Sequence, residues 1–208
     1  MQLADTHCHI HSVDYPLPIT EVDVHNREAG VEFLLCVGTD AADSERAVQF
    51  VADRPNNRAS VGQHPHEAKY GSNPLERLRF LVERDQGLSS PFSPSPARVF
   101  GANAPASPGS DIVEGREGEE RRQRKIVAIG ECGLDYFYGH SSKEDQEKAL
   151  RYQIELALEY NLPLIFHVRE AFDDFWPIFD DYQNVRGVLH SFTDNTANLS
   201  KAVSRGLY

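Results

Sequence analysis

Residues that commonly bind metal ions occur at the ends of four separate apolar segments, spread over most of the chain. They are His7 and His9, then Glu131, His167 and His190. A zinc finger takes its ligands from one short stretch of sequence, and this chain does not follow that pattern. In a parallel β/α barrel the carboxyl ends of all strands meet at one face, where distant parts of the sequence form a common site. The distribution therefore favours a TIM-type barrel.

Alternating strand and helix patterns support this interpretation. Apolar runs predict six strands, and the segments between most of them have apolar residues on one helical stripe. The predicted strands are Leu3–Ile10, Val31–Gly38, Ala59–His64, Lys125–Gly130, Pro163–Val168 and Arg186–Phe192, and the predicted helices are Asp43–Arg54, Pro74–Arg84, Lys143–Tyr160, Glu170–Phe179 and Asn195–Ser204. Strands that alternate with helices are typical of a parallel α/β sheet.

The spacing of the strands predicts one domain over residues 1–208 that forms an incomplete barrel. Most steps between strands have the length of one β/α unit, but one step contains residues 87–124, which are rich in Ser, Pro, Gly and charge. We interpret this segment as a disordered insertion. About six units remain outside it, whereas a complete barrel has eight. Gly206–Tyr208 would begin a seventh strand.

The composition argues against several classes of protein. No apolar run approaches the roughly 18 residues of a membrane span, and the N-terminus lacks the pattern of a secretory signal. Cys8, Cys36 and Cys132 form no CxxC pair, which favours a reduced, cytoplasmic protein with buried cysteines. The net charge of −11 argues against a basic nucleic-acid-binding surface. It does not exclude a nuclease, because bound divalent cations would supply local positive charge for a phosphate.

Three positions combine a strand context with metal-binding chemistry. His7 and His9 lie two residues apart on the first strand, so both would face the barrel mouth while Cys8 faces away. Two imidazoles on one rigid strand make a good chelate. Glu131 follows an apolar strand, where an inward carboxylate is costly unless it is paired with a cation. A metal ion would satisfy this requirement, and a hydrogen bond to a loop is the alternative.

The remaining histidines differ in sequence context, and the context indicates which of them are candidates for a site. A lone histidine in an apolar strand, such as His167 or His190, is more often a core residue, but the coincidence of all five residues at equivalent strand ends favours a site. His64 precedes a proline that interrupts the strand, so it is a candidate for substrate contact rather than chelation. Arg169 is a candidate for holding an anion such as phosphate. A structural role is the alternative for both residues. We expect the other isolated histidines on the surface, namely His11, His25 and His140.

Five segments together resemble the TatD-related metal-dependent deoxyribonucleases of the amidohydrolase superfamily. In chain order they are DTHCHIH, VGQHPHEA, IVAIGECGLDYFY, NLPLIFHVREA and GVLHSFT. The third and fourth segments are specific to the family, whereas an HxH pair alone is not. The resemblance extends over nearly all of the chain outside residues 87–124.

The resemblance implies a β/α barrel with two divalent metal ions, Mg²⁺, Mn²⁺ or Zn²⁺. His7 and His9 would bind the first ion, Glu131 would bridge both ions as the catalytic carboxylate, and His167 and His190 would bind the second. Family members hydrolyse DNA, often from the 3′ end, and some relatives act on RNA or remove D-amino acids from tRNA.

The family also has an aspartate at the end of its eighth strand, a position that lies beyond Tyr208. We therefore expect either a metal-dependent hydrolase acting on ester bonds or a non-catalytic chain. A D-aminoacyl-tRNA deacylase or another amidohydrolase is a further alternative.

Overall fold

The computed structural model of this chain describes residues 2–88 and 123–208. Its centre is a curled, parallel, six-stranded sheet in which the strands pair in chain order. The strands are β1 (Leu3–Cys8), β2 (Val31–Val37), β3 (Arg58–Val61), β4 (Ile126–Asp135), β5 (Leu164–Arg169) and β6 (Gly187–Leu189). The prediction of an incomplete TIM-type barrel is confirmed. The predicted insertion, residues 87–124, lies largely outside the described residues.

Helices connect the strands as the alternation predicts. They are α1 (Ile19–Ala29), α2 (Ala41–Ala52), α3 (Ser72–Asp85), α4 (Lys143–Glu159), α5 (Phe172–Asp180) and α6 (Thr196–Ser204), and a 3₁₀ turn covers Pro65–Tyr70. Helix α1 is absent from the sequence prediction. It buries only Val22, and its N-cap, Pro18, makes no side-chain capping bond, so it has neither of the usual signals. Helix α2 begins at Ala41, two residues before the predicted start, because Asp40 caps it by accepting a hydrogen bond from the Asp43 backbone N–H at 2.7 Å.

The largest apolar cluster packs the outer face of the sheet against α3, α4 and α5. Leu150 and Ile154 of α4 are fully buried there beside Phe166 of β5 and Phe175 of α5. Burying side chains of this size stabilises the fold by about 1.5–3 kcal/mol each. Within the described residues no helix is long and apolar enough to cross a membrane. The three cysteines are buried and free, as predicted.

The backbone of Tyr208 continues the sheet beyond β6. Its N–H donates to the Gly187 carbonyl at 3.3 Å, and its carbonyl accepts from the Leu189 N–H at 2.8 Å. These two bonds bracket Val188, which is the pattern of a parallel ladder. Tyr208 therefore occupies the position of a seventh strand, as Gly206–Tyr208 predicted.

His11 is buried, which corrects the expectation that it lies on the surface. Only 9% of the residue is exposed, and its Nε2 lies 3.2 Å from an Asp43 carboxylate oxygen. Asp43 also accepts hydrogen bonds from the backbone and side chain of Thr39 and from Arg46. His25 and His140 are exposed, as expected. Asp43 thus joins the segment after β1 to the start of α2.

We expect Asp43→Asn to lower the free energy of unfolding by about 2 kcal/mol at neutral pH. Burial raises the pKa of Asp43, but hydrogen bonds from His11, Thr39 and Arg46 outweigh it and lower the pKa to about 2, from an ordinary 3.8. The resulting stabilisation is present above about pH 4 and is lost as the pH falls towards 2. Urea unfolding at several pH values measures this. The exposed Glu144→Gln serves as the control, and an equal stability of Asp43→Asn and wild type at pH 7 would contradict the prediction.

Candidate metal centre

Glu131 is the centre of a cluster of imidazoles at the carboxyl ends of the strands. Only 4% of the residue is exposed, and it lies within β4, which continues four residues beyond it to Asp135. The sequence pattern predicts that this strand ends at Gly130, before Glu131. The strand continues past the apolar run, and it includes Gly130 and Gly133 at positive φ angles of 145° and 149°, which glycine adopts without a steric penalty.

One oxygen of the Glu131 carboxylate faces β1. Its Oε2 lies 3.4 Å from His7 Nε2 and 4.0 Å from His9 Nε2. Both histidines therefore face the strand ends, as their spacing of two predicts. Cys8 faces away, and its Sγ lies 3.9 Å from Cys36 Sγ.

The other oxygen faces the later strands. Glu131 Oε1 lies 2.9 Å from His190 Nε2, 3.0 Å from His167 Nδ1 and 3.6 Å from His64 Nε2. His190 also stacks on His7, with ring centroids 4.0 Å apart, so it approaches the first side of the carboxylate as well. The four histidines with predicted metal-binding roles thus converge on the fifth predicted ligand, Glu131, and their ligation of metal stays a prediction.

Two three-residue groups in the described part of the chain are compact enough to hold an ion. They are His7, Glu131 and His190, and His64, Glu131 and His167. Imidazole and carboxylate donors suit Zn²⁺ and Mn²⁺, and the carboxylate also suits Mg²⁺. His7 Nε2 is buried without a hydrogen-bond partner, although it lies near Glu131. A buried polar atom usually has a partner, and a metal ion would provide one. The donor set therefore fits a divalent metal.

Glu131 and His9 are held in the deprotonated states that metal binding requires. Burial raises the pKa of Glu131, but hydrogen bonds from His167 and His190, together with the nearby His7, outweigh this effect and hold the pKa well below its ordinary range. Burial lowers the pKa of His9, and the neighbouring His7 lowers it further. His9 Nδ1 lies 2.8 Å from the Val37 carbonyl. A neutral His9 that donates through Nδ1 leaves the Nε2 lone pair facing the cluster.

His64 is arranged as a hydrogen-bond donor. Its Nδ1 accepts a bond from the His66 backbone N–H at 3.2 Å, so a neutral ring carries its proton on Nε2, the atom that faces Glu131. Burial lowers the pKa of His64 to about 3, so the ring is neutral at physiological pH. Although His64 lies close enough to Glu131 and His167 to share an ion with them, a protonated Nε2 has no lone pair for a metal. His64 is therefore placed to donate a hydrogen bond rather than to bind a metal.

Asp135 connects the cluster to the next loop, and the sequence analysis missed it. Its Oδ2 lies 2.9 Å from His167 Nε2 and 3.0 Å from His66 Nε2. His167 therefore presents Nδ1 to Glu131 and Nε2 to a carboxylate, an arrangement that orients a metal-binding histidine. Burial lowers the pKa of His167, but hydrogen bonds to Glu131 and Asp135 outweigh it and raise the pKa. The available sequence signal was the two-residue periodicity that places Asp135, Gly133 and Glu131 on one face of β4.

A cavity of about 510 Å³ opens beside the cluster. His9, Glu131, His167 and His190 line one part of it, and Arg169 at the end of β5 lines another. The structure thus brings Arg169 to the same cavity as four of the five predicted metal-binding residues. Its role in binding an anion stays a prediction.

Comparison with known families matches residues 4–208 to the family described as "TatD related DNase". The chain belongs to this family. The match includes every strand of the sheet and all the histidines around Glu131. The TatD-related resemblance of segments such as DTHCHIH and IVAIGECGLDYFY is therefore confirmed.

Similar curated TatD-related proteins are longer than this chain. The 3′-5′ ssDNA/RNA exonuclease TatD of Salmonella typhimurium is 29% identical over 182 residues, which are 86% of this chain and 55% of that protein. The uncharacterized metal-dependent hydrolase YabD of Bacillus subtilis is 28% identical over 208 residues, which cover 99% of this chain and 67% of that protein. The chain therefore spans just over half the length of the Salmonella relative.

A solved structure shows the same fold. The TatD homolog YJJV of Escherichia coli superposes with a TM-score of 0.71 at 24% sequence identity. The superposition covers 99% of this chain and 66% of the homolog. This TatD-related fold supports the assignment of an incomplete TIM-type barrel.

Proposed function

We propose that this protein is a divalent-metal-dependent hydrolase that cleaves phosphodiester bonds of nucleic acid, with DNA as the first candidate substrate and RNA as the second. The observation that supports this most strongly is the placement of ring nitrogens against both oxygens of one buried carboxylate, Glu131. A carboxylate shared in this way is suited to bridge two metal ions. The Salmonella relative named as a 3′-5′ ssDNA/RNA exonuclease favours release of nucleotides from the 3′ end.

The proposed ligands follow the two sides of the carboxylate. His7 and His9 with Glu131 Oε2 would hold one ion, and His167 and His190 with Oε1 would hold the other. Divalent ions here would activate a water molecule and stabilise the charge that develops on the phosphoryl group and the leaving oxygen. Mg²⁺, Mn²⁺ and Zn²⁺ are the candidate ions.

Three further residues have proposed roles that do not involve ligation. His64 would donate its Nε2 proton in a hydrogen bond to the substrate, since Nδ1 is occupied by the His66 N–H. Arg169, which lines the same cavity, would bind a phosphate oxygen of the nucleic acid. Asp135 would hold His167 in its binding orientation.

A metal-binding protein without hydrolytic activity is the second candidate. Among residues 2–88 and 123–208, the only carboxylate within 4.0 Å of a ring nitrogen of His7 or His9 is that of Glu131. An ion held there by the described residues would have Glu131 as its one carboxylate ligand, with no other described carboxylate beside the ring nitrogens of His7 or His9 to accept a proton from water. This arrangement permits metal binding without turnover.

We expect two divalent ions per chain and metal-dependent shortening of single-stranded DNA from its 3′ end. Metal content is measured after dialysis against Mn²⁺ or Zn²⁺, and cleavage is followed on an oligonucleotide labelled at its 5′ end. A matched oligonucleotide with a blocked 3′ end is the control, and it should remain intact. Two ions without cleavage would support the second candidate, whereas the absence of bound metal would contradict both.

A further inference from the structure

An exposed group of aromatic rings lies next to the metal-binding cluster. We call it the aromatic patch and define it as Phe137, Tyr138 and His140, which follow β4, together with Arg169 at the end of β5. Phe137 and Tyr138 are 50% and 52% exposed, and His140 is exposed as well. Adjacent exposed aromatic side chains form a contiguous apolar surface, and such surfaces often mark a binding site.

The rings and the guanidinium of the aromatic patch pack against one another, with Phe137 and Tyr138 edge to face at 4.7 Å between centroids. The Arg169 guanidinium carbon lies 3.9 Å from the ring centroid of Phe137 and 4.9 Å from that of Tyr138. Tyr138 and His140 are almost parallel, with centroids 5.7 Å apart and an angle of 12° between the rings. The patch therefore combines flat apolar surfaces with a fixed positive charge.

Hydrogen bonds that Asp135 accepts fix the patch relative to the metal-binding cluster. Its Oδ1 accepts the backbone N–H groups of Phe137 at 3.0 Å and Tyr138 at 3.2 Å. Its Oδ2 lies 2.9 Å from His167 Nε2. One buried carboxylate thus orients both the loop that carries the rings and a histidine that faces Glu131.

We infer that the aromatic patch binds unpaired nucleobases of single-stranded nucleic acid, while Arg169 contacts the adjoining phosphate. Bases stack on exposed aromatic rings, and a nearby arginine adds cation–π and phosphate contacts. The net charge of −11 makes general electrostatic attraction of a polyanion unfavourable, so affinity has to come from local stacking and one well-placed cation. A duplex hides the faces of its bases, so the patch would select single strands.

This inference rests on the proposed function, because it names the form of nucleic acid that the site would accept. The test measures binding of a short single-stranded oligonucleotide that contains 2-aminopurine, whose fluorescence falls on stacking. We expect the full chain to bind it at least about 10-fold more tightly than the corresponding duplex. An oligonucleotide with abasic sites at the same positions should bind more weakly by a similar factor. This comparison uses the wild-type protein alone.

The double variant Phe137→Leu, Tyr138→Leu removes the rings and keeps apolar side chains of moderate size. We expect its affinity for the single strand to fall at least about 10-fold, because each stacked ring contributes several-fold. Tyr70→Leu is the matched control, since Tyr70 is 63% exposed and lies outside the patch. The control should bind like wild type, and thermal melting should show that both variants are folded.

The outcomes separate this inference from the proposed function. Loss of binding in the double variant, together with a wild type that cleaves no DNA, would support the inference and contradict the hydrolytic proposal. Cleavage by the wild type with unchanged binding in the double variant would overturn the inference alone. Equal affinity for abasic and normal strands would also overturn it and would favour a protein partner for the patch.

Discussion

Glu131→Gln is expected to abolish metal-dependent cleavage of DNA, with a loss of about 10³-fold or more. Glutamine keeps the shape of the side chain but replaces one oxygen by an amide N–H₂ group, which cannot bind a cation. The site would lose the anionic ligand that faces histidines on both sides. Metal ions supply several kcal/mol of transition-state stabilisation, and about 4 kcal/mol corresponds to 10³-fold in rate. The measurement is the rate of nucleotide release at saturating metal, with metal content determined in parallel.

A control variant and a folding measurement test this expectation. Glu144→Gln removes a carboxylate that is paired with Lys148 on the surface of α4, so it should leave both activity and metal content unchanged. A thermal melt shows whether Glu131→Gln is folded, because the amide still accepts hydrogen bonds from neighbouring histidines. Normal cleavage by folded Glu131→Gln would refute the role proposed for this residue.

Gly133→Ala should destabilise the protein strongly, by about 3 kcal/mol or more. Gly133 pairs with His167 across β4 and β5, and its φ of 149° is a conformation that residues with a side chain rarely adopt. A Cβ atom at Gly133 would also overlap the backbone carbonyl of His167, so the two strands would have to separate. Backbone strain and overpacking each cost about 1–3 kcal/mol. Chemical unfolding in urea measures the change.

Gly139→Ala separates the two contributions. Gly139 also has a positive φ, of 63°, but a Cβ atom there would meet no atom within 4 Å. We expect this control to cost about 1 kcal/mol, the conformational part only. Similar losses at Gly133 and Gly139 would show that the strand contact is unimportant. Because Gly133 adjoins His167, its substitution should also lower metal content, whereas the substitution of Gly139 should not.

The layout of the fold follows from patterns that are local in the sequence. Apolar runs such as Val31–Val37 form strands that bury residues near their carboxyl ends, and α4 has buried residues at helical spacing. The convergence of His7, His167 and His190 on Glu131 follows from parallel topology, since carboxyl ends of strands share one face. These features can be predicted from the periodicity of apolar residues and from the rule that the carboxyl ends of parallel strands share one face.

Other features depend on contacts between segments that lie far apart in the chain. His11 is buried only because Asp43, 32 positions later, reaches it, and nothing near His11 in the sequence indicates this. Asp135 lies in a strand that continues past the apolar run, so its contacts with His66 and His167 required the tertiary structure. Helix α1 has no apolar stripe and is held by the sheet beside it.

Asp135 has one further consequence, which concerns the thermodynamics of binding. The same carboxylate fixes His167 beside Glu131 and fixes the backbone of Phe137 and Tyr138. A ligand that orders one side of Asp135 reduces the entropy that a ligand on the other side must lose. Thermodynamic linkage makes this effect reciprocal. If a bound nucleic-acid strand raises the affinity for metal by some factor, bound metal raises the affinity for the nucleic-acid strand by the same factor. Metal and strand would then behave as mutual effectors in this protein.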